Sequence, residues 1–251
     1  MTEAITADPP ERVALASMLQ TWSAVSFLHW RVEPAQIRPL VPKSLDVDTF
    51  DGSAWVGLVP FRMRMRMPVG SLPIPTLSRY PETNVRTYVV DPSGRRGLWF
   101  FSLDVPQVLA IILARVAFGL PYAWSEMSLE ERGSRIEYTA QRRRPQRGLR
   151  SSVIVTTGVG QRVVDPLALF LTARYRLYAS GPLGLYSISV EHQRWPLEEI
   201  TVDEIDDGLL TSSGIRVSGT PDHACASPGV DVRVGWPAAV GGRVSPALPT
   251  S

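Results

Sequence analysis

From Glu82 to Val89 the side chains sort into two rows with a period of two, the repeat of a β-strand. Thr83, Val85, Thr87 and Val89 form one row, β-branched throughout and suited to a packed interior. Glu82, Asn84, Arg86 and Tyr88 form the other, an acid, an amide, a guanidinium and a phenol about 6.5–7 Å apart at each step. A polar row on a strand ordinarily faces water. Here the neighbouring segments are apolar strands that leave little reason for an exposed face, so the row is expected to line a closed pocket. The same period runs through 54–67, where Met63, Met65 and Met67 oppose Arg62, Arg64 and Arg66. Alternation of this clarity specifies a strand and argues against a helix.

The rest of the chain supplies partners for these strands. A first strand is predicted over 22–32, with Val25, Phe27, His29 and Arg31 on one face, followed by a short helical turn from Pro34 to Leu40. Asp51-Gly52 marks a tight turn. A proline-rich connection over 68–80 is of a length usually kept for a loop that covers a site. Ser93-Gly94 turns the polar strand into the aromatic strand 97–103. Asp104, with Gln107 three residues on, reads as the N-cap of a helix running to Phe118 and stopped by Gly119. Strands follow over 135–143, 151–157, 174–178 and 185–191, with a helix opened by Asp165-Pro166. The acidic stretch 200–208 reads as a short amphipathic surface helix, and 230–234 as a last strand. The expectation is one α+β domain over 17–237, with flexible tails at 1–16 and 238–251.

Composition narrows the function classes. A net charge of +2 is too small to predict a nucleic-acid or anionic-membrane partner. The single Cys225 rules out an internal disulfide and fits a cytoplasmic location. No secretory signal is visible, and the longest apolar stretch, 105–120, is interrupted by Gln107 and Arg115 and is too short to span a bilayer.

Several segments in order carry a family resemblance: Phe27-Leu-His-Trp-Arg31, Asp51-Gly-x-Ala-Trp-Val-Gly57, Glu82-x-Asn-Val-Arg-Thr-Tyr88, Trp99-Phe-Phe-Ser-Leu103, Ala114-Arg115-x-x-x-Gly119-Leu-Pro-Tyr122 and Ser227-Pro-Gly-Val-Asp-Val232. Together they resemble the YqjF-like family, domain of unknown function 2071, which is grouped with the acetoacetate decarboxylase-like superfamily. The resemblance implies a curved double-layered β-sheet forming a cone-shaped barrel with an internal cavity and a few covering helices. Acetoacetate decarboxylases carry a Gly-x-Pro-Lys-Lys segment whose first lysine forms a Schiff base. Here Arg115, Gly119 and Pro121 match that frame, but Tyr122 and Ala123 stand at the lysine positions, and the chain's one lysine is Lys43. Classical decarboxylation through an imine is therefore not expected. Glu82 lies about where the superfamily places its pocket carboxylate.

These residues define a candidate site. Glu82 is the general acid or base, its pKa raised by burial and lowered by Arg86. Arg86 suits a bidentate grip on a carboxylate, and Tyr122 could donate to an enolate or carbonyl oxygen. Asn84, Tyr88, His29 and Arg115 complete the set of substrate-binding candidates. The competing reading is an ion-pair network of Glu82, Arg86 and Arg115 that holds the barrel together. His192 and Trp195 read as a packing corner. His223 and Cys225 have no matching ligand pair, so no metal is expected, and no cofactor. The arginines from Arg142 to Arg150 read as a solvated hairpin tip. The expected function is binding of a small oxo- or enol-acid, with lyase, hydratase or isomerase chemistry that needs no Schiff base. The alternative is a non-catalytic sensor or carrier using the same cavity. A third reading uses the Met and Arg faces of 61–67 for self-association into a homo-oligomer.

Overall fold

A computed structural model describes residues 1–66, 79–107, 119–160, 162–163, 165–181 and 184–240. Arg115, the body of the helix expected up to 118, most of the proline-rich connection, and residues 241–251 lie outside the described residues. In chain order the elements are β1 (Met18–Val32), α1 (Pro34–Ile37), β2 (Asp46–Val47), β3 (Ala54–Arg66), β4 (Arg79–Val90) and β5 (Arg96–Val105). Then come β6 (Tyr122–Arg132), β7 (Arg135–Arg144), β8 (Arg150–Thr156), α2 (Pro166–Thr172), β9 (Arg176–Gly181) and β10 (Gly184–His192). The chain continues through β11 (Glu198–Glu199), β12 (Thr201–Asp207), α3 (Leu209–Ser212), β13 (His223–Val234) and β14 (Ala238–Ala239).

Pairing closes seven of these strands into a ring, in the order β5-β9-β10-β13-β1-β3-β4 and back to β5. Closure depends on β5 dividing its partners along its length. Leu98 and Trp99 pair in parallel with Leu177 and Tyr178 of β9, whereas Leu103 to Val105 pair in parallel with Tyr122 to Trp124 of β6. Gly97 permits the first junction, because a Cβ there would fall 2.6 Å from the Tyr178 ring. From β6 the sheet runs on through β7, β8 and β12 and folds back as a second layer. Tyr138 of β7 and Val153 and Val155 of β8 pack there with Leu28, Val56, Leu58, Val85 and Val89 on the backs of the ring strands. The Tyr138 hydroxyl donates to the Ala24 carbonyl at 2.8 Å. Ala24 sits at a bulge in β1, with a left-handed φ of 47°.

Strands β1, β3 and β4 are thus buried on both faces along most of their length, so the polar row of β4 is enclosed instead of facing water. The opposite face of the ring is covered by α2. Its N-cap is Asp165, whose side chain accepts from the Ala168 amide, with Pro166 in the first turn, as the sequence led one to expect. Residues ahead of β1 lie along the outside: Glu3 bonds to Arg96 and Gly94, and the Val13 amide donates to Glu191.

Three expectations are corrected. Residues 201–207 form a strand paired with β8, not a helix. Asp104 lies inside β5 and is bound to Arg142, so it caps no helix. Arg142 is for that reason buried, leaving only the rest of the basic hairpin near the solvent. In addition, β6 was not foreseen, and Met63 packs into the core, which takes it away from any self-association surface.

Candidate functional site

The polar row of β4 faces inward. Glu82, Asn84, Arg86 and Tyr88 are 3%, 5%, 6% and 0% exposed. Directly paired residues share a face of a sheet, so the register extends this surface sideways. Glu82, Asn84 and Arg86 stand opposite Phe61, Val59 and Gly57 of β3. Gly57 in turn stands opposite His29 of β1, and His29 opposite His223 of β13. On the other side Asn84 meets Leu103, and Leu103 meets Tyr122 of β6. Six of the seven candidates named from sequence therefore lie on one continuous face; Arg115 is outside the described residues.

Gly57 is the member that sequence reasoning did not single out as functional. A Cβ there would fall 2.9 Å from His29 Cδ2, 3.0 Å from His29 Nε2 and 3.4 Å from Arg86 Cγ. His29 and Arg86 meet over this glycine because nothing stands between them. Gly57→Ala should force both side chains to shift and cost roughly 1–3 kcal/mol. Scanning calorimetry should show the midpoint falling by about 2–4 °C per kcal/mol. An unchanged midpoint would mean the contact is not tight.

Arg86 reaches from β4 across β3. Its guanidinium carbon lies 5.4 Å from the Phe27 ring centroid, and Nη2 donates to the Leu171 carbonyl at 3.2 Å. That carbonyl, near the C-terminal end of α2, also accepts from the Tyr88 hydroxyl at 2.8 Å. The Tyr88 oxygen is 2.7 Å from His29 Nε2. A ring face and a carbonyl dipole partly offset the guanidinium charge, but no carboxylate pairs with Arg86 among the described residues, and its Nε is unpartnered there.

Glu82 does not fill that role. Its carboxyl pKa is pushed up to about 8, first by burial and then by the nearby Asp104. At neutral pH it is therefore mostly protonated, and its Oε2 has no hydrogen-bond partner among the described residues. The Tyr80 and Tyr122 phenols are both held protonated by burial and by Glu82. Burial, followed by the charge of Arg86, keeps His29 well below its usual pKa. Among the described residues this face thus combines the Arg86 cation with a neutral acid, a neutral imidazole and phenols. The other guanidinium against it, Arg174 over the Tyr88 ring, is paired with Asp48. Among the described residues no hydrogen bond or ion pair joins Glu82 to Arg86; Arg115, the third member of the competing network, lies outside the described residues.

Beside Phe27, the rings of Trp22, His192 and Trp195 pack together, with Phe27 and Trp195 edge to face at 5.0 Å. This is the packing corner expected of His192 and Trp195. No group of three or more metal-binding side chains occurs among the described residues. Lys43 is exposed, on the loop after α1, and belongs to no part of this face.

The model of the DUF2071 family of uncharacterised conserved proteins matches residues 19–231. The chain belongs to the DUF2071 family. It is 37% identical over 196 residues to the uncharacterised protein YqjF of Bacillus subtilis strain 168, covering 76% of this chain and 80% of that one. Among solved structures, this DUF2071 protein is similar to an acetoacetate decarboxylase-like enzyme from Sphingomonas wittichii RW1. The TM-score is 0.62 at 13% identity, covering 94% of this chain and 98% of that one. The enduracididine biosynthesis enzyme MppR complexed with pyruvate gives 0.61 at 12%, over 91% and 92% of the two chains. The acetoacetate decarboxylase of Legionella pneumophila gives 0.61 at 10%, over 92% of each. The DUF2071 protein has the acetoacetate decarboxylase-like fold. Among its described residues no helix is long and apolar enough to cross a membrane.

Proposed function

We propose that the ring interior binds a small oxo- or enol-acid, with the ligand carboxylate held by Arg86. The observation that carries this reading is the buried Arg86 cation, which pairs with no carboxylate among the described residues and shares its strand face with a carboxyl group that is itself neutral. A buried charge left uncompensated is costly, so the site favours an anion that brings the missing charge. The likeness to a structure complexed with pyruvate supports an acid of that size.

Glu82, protonated and free at Oε2, is the proton donor in this scheme. Tyr122 donates a hydrogen bond to the ligand oxygen on which charge develops. Proton transfer of this kind serves lyase, hydratase or isomerase chemistry and forms no imine, in keeping with an exposed Lys43. The test is a panel of small carboxylates followed by calorimetry and by product analysis. Arg86→Gln should weaken binding by about a hundredfold or more, the scale of a charge-assisted contact in a buried site. Glu82→Gln should keep binding and abolish turnover. Binding unaffected by Arg86→Gln would overturn the proposal. Binding without turnover in the native protein would leave a carrier or sensor.

A further inference from the structure

The hydroxyl of Tyr88 fixes the tautomer of His29. Its oxygen lies 2.8 Å from the Leu171 carbonyl oxygen, a separation that needs a proton between the two. A backbone carbonyl has none, so the phenol proton points at Leu171. The phenol oxygen is then the acceptor toward His29, 2.7 Å away, and His29 Nε2 carries the hydrogen. A neutral imidazole has one N–H, which leaves Nδ1 with a bare lone pair. His29 is fully buried, and Nδ1 has no partner among the described residues.

A second acceptor lies close by. Asn84 Oδ1 is buried without a partner among the described residues, one step along the same strand face from Arg86. His29 and Asn84 thus flank the Arg86 stem, one across Gly57 and one along β4. Around the cation that takes a carboxylate, the protein presents acceptors in need of a donor: Asn84 Oδ1 one step along the strand face, and His29 Nδ1 on the ring edge farther from Gly57 than the Cδ2–Nε2 edge. A keto oxygen set against either would place lone pair against lone pair.

We infer that the ligand is a hydroxyl-bearing carboxylate, a hydroxy acid or the enol form of an oxo acid. Its carboxylate sits on Arg86, and its O–H is donated to His29 Nδ1 or Asn84 Oδ1. This rests on the Arg86 reading above and adds a discrimination to it. A site built to bond a hydroxyl rejects the analogue lacking that donor, because its own buried groups are then left unpaired.

The test is isothermal titration of the full chain with two matched series. Lactate is set against pyruvate and propanoate, and 3-hydroxybutyrate against acetoacetate and butanoate. In at least one series the hydroxy acid should bind at least about tenfold more tightly than both partners. Tyr88→Phe removes the acceptor at Nε2, frees the imidazole proton to occupy Nδ1, and should bring the ratio toward one. Independently, 15N NMR of the native protein should show His29 protonated at Nε2. Oxo or plain acids that match the hydroxy acids, with binding lost in Arg86→Gln, would overturn the hydroxyl inference and leave the carboxylate reading intact. An Nδ1–H tautomer in the native spectrum would also overturn it. No binding of any of the six acids would overturn both.

Discussion

Replacing Glu82 by glutamine is expected to make the folded protein more stable at pH 9 while removing its proton donor. The sign follows from burial. The carboxyl titrates near 4.5 in the unfolded chain and at about 8 in the folded one. Below pH 4.5 both states hold the proton, and the group takes nothing from stability. Between 4.5 and 8 the folded state keeps a proton that the unfolded chain has released. Stability then falls by about 1.4 kcal/mol per pH unit, reaching on the order of 4–5 kcal/mol before levelling off. Glutamine has nearly the same shape and does not titrate. Denaturant unfolding at pH 4 should give similar stabilities for the two proteins, and at pH 9 the variant should be ahead by several kcal/mol. Equal stability at pH 9 would mean that the native carboxylate finds a cation and is not held neutral. A residue that costs this much to keep is typical of a site retained for function at the expense of stability.

The second large effect belongs to Asp104 and Arg142. Both are buried, at 0% and 3% exposure, with Arg142 Nε 2.8 Å from Oδ1 and Nη2 2.5 Å from Oδ2 of the carboxylate. Burial raises the Asp104 pKa, and the arginine only partly offsets that. The pair ties β7 to β5 one residue beyond the point where Leu103 meets Tyr122, so it also holds Tyr122 on the face it shares with Glu82. Removing one partner strands the other charge in the interior. Arg142→Met or Asp104→Leu alone should each cost roughly 3–5 kcal/mol, whereas the double variant should recover most of the loss. The double-mutant cycle by denaturant unfolding checks this. Additive losses would show that the pair is not coupled.

The inward polar row was legible because β4 alternates without interruption and its other face, Thr83 to Val89, is β-branched. The pairing partners that make it a site were less so. Gly57 matters only because His29 and Arg86 flank it across β3, and nothing within its own segment states that. Asp104 with Gln107 imitates a capping box, but the side chain that claims Asp104 lies 38 residues away on β7. The stretch 201–207 misleads for a local reason. Val202 and Ile205 are spaced as on a helix face, yet the register slips between Val202 and Glu204, so the two pair with Val155 and Val153 on the same side of β8. A bulge converts period two into a spacing of three, which a pattern search assigns to a helix. In β6 the alternation Ala123, Trp124, Ser125, Glu126 gives way to residues half-buried or exposed on both faces, and the signal fades with it.

Carbon-13 NMR of the Glu82 carboxyl, followed through a pH titration of the native protein and assigned with Glu82→Gln, reaches the central claim most directly. A closed interior that holds an unbalanced arginine and a neutral acid predicts a midpoint near 8, displaced when a carboxylate ligand adds its charge beside Arg86. A midpoint near 4.5, unmoved by any such ligand, would show Glu82 ionised in contact with water or with Arg86, and would contradict the account.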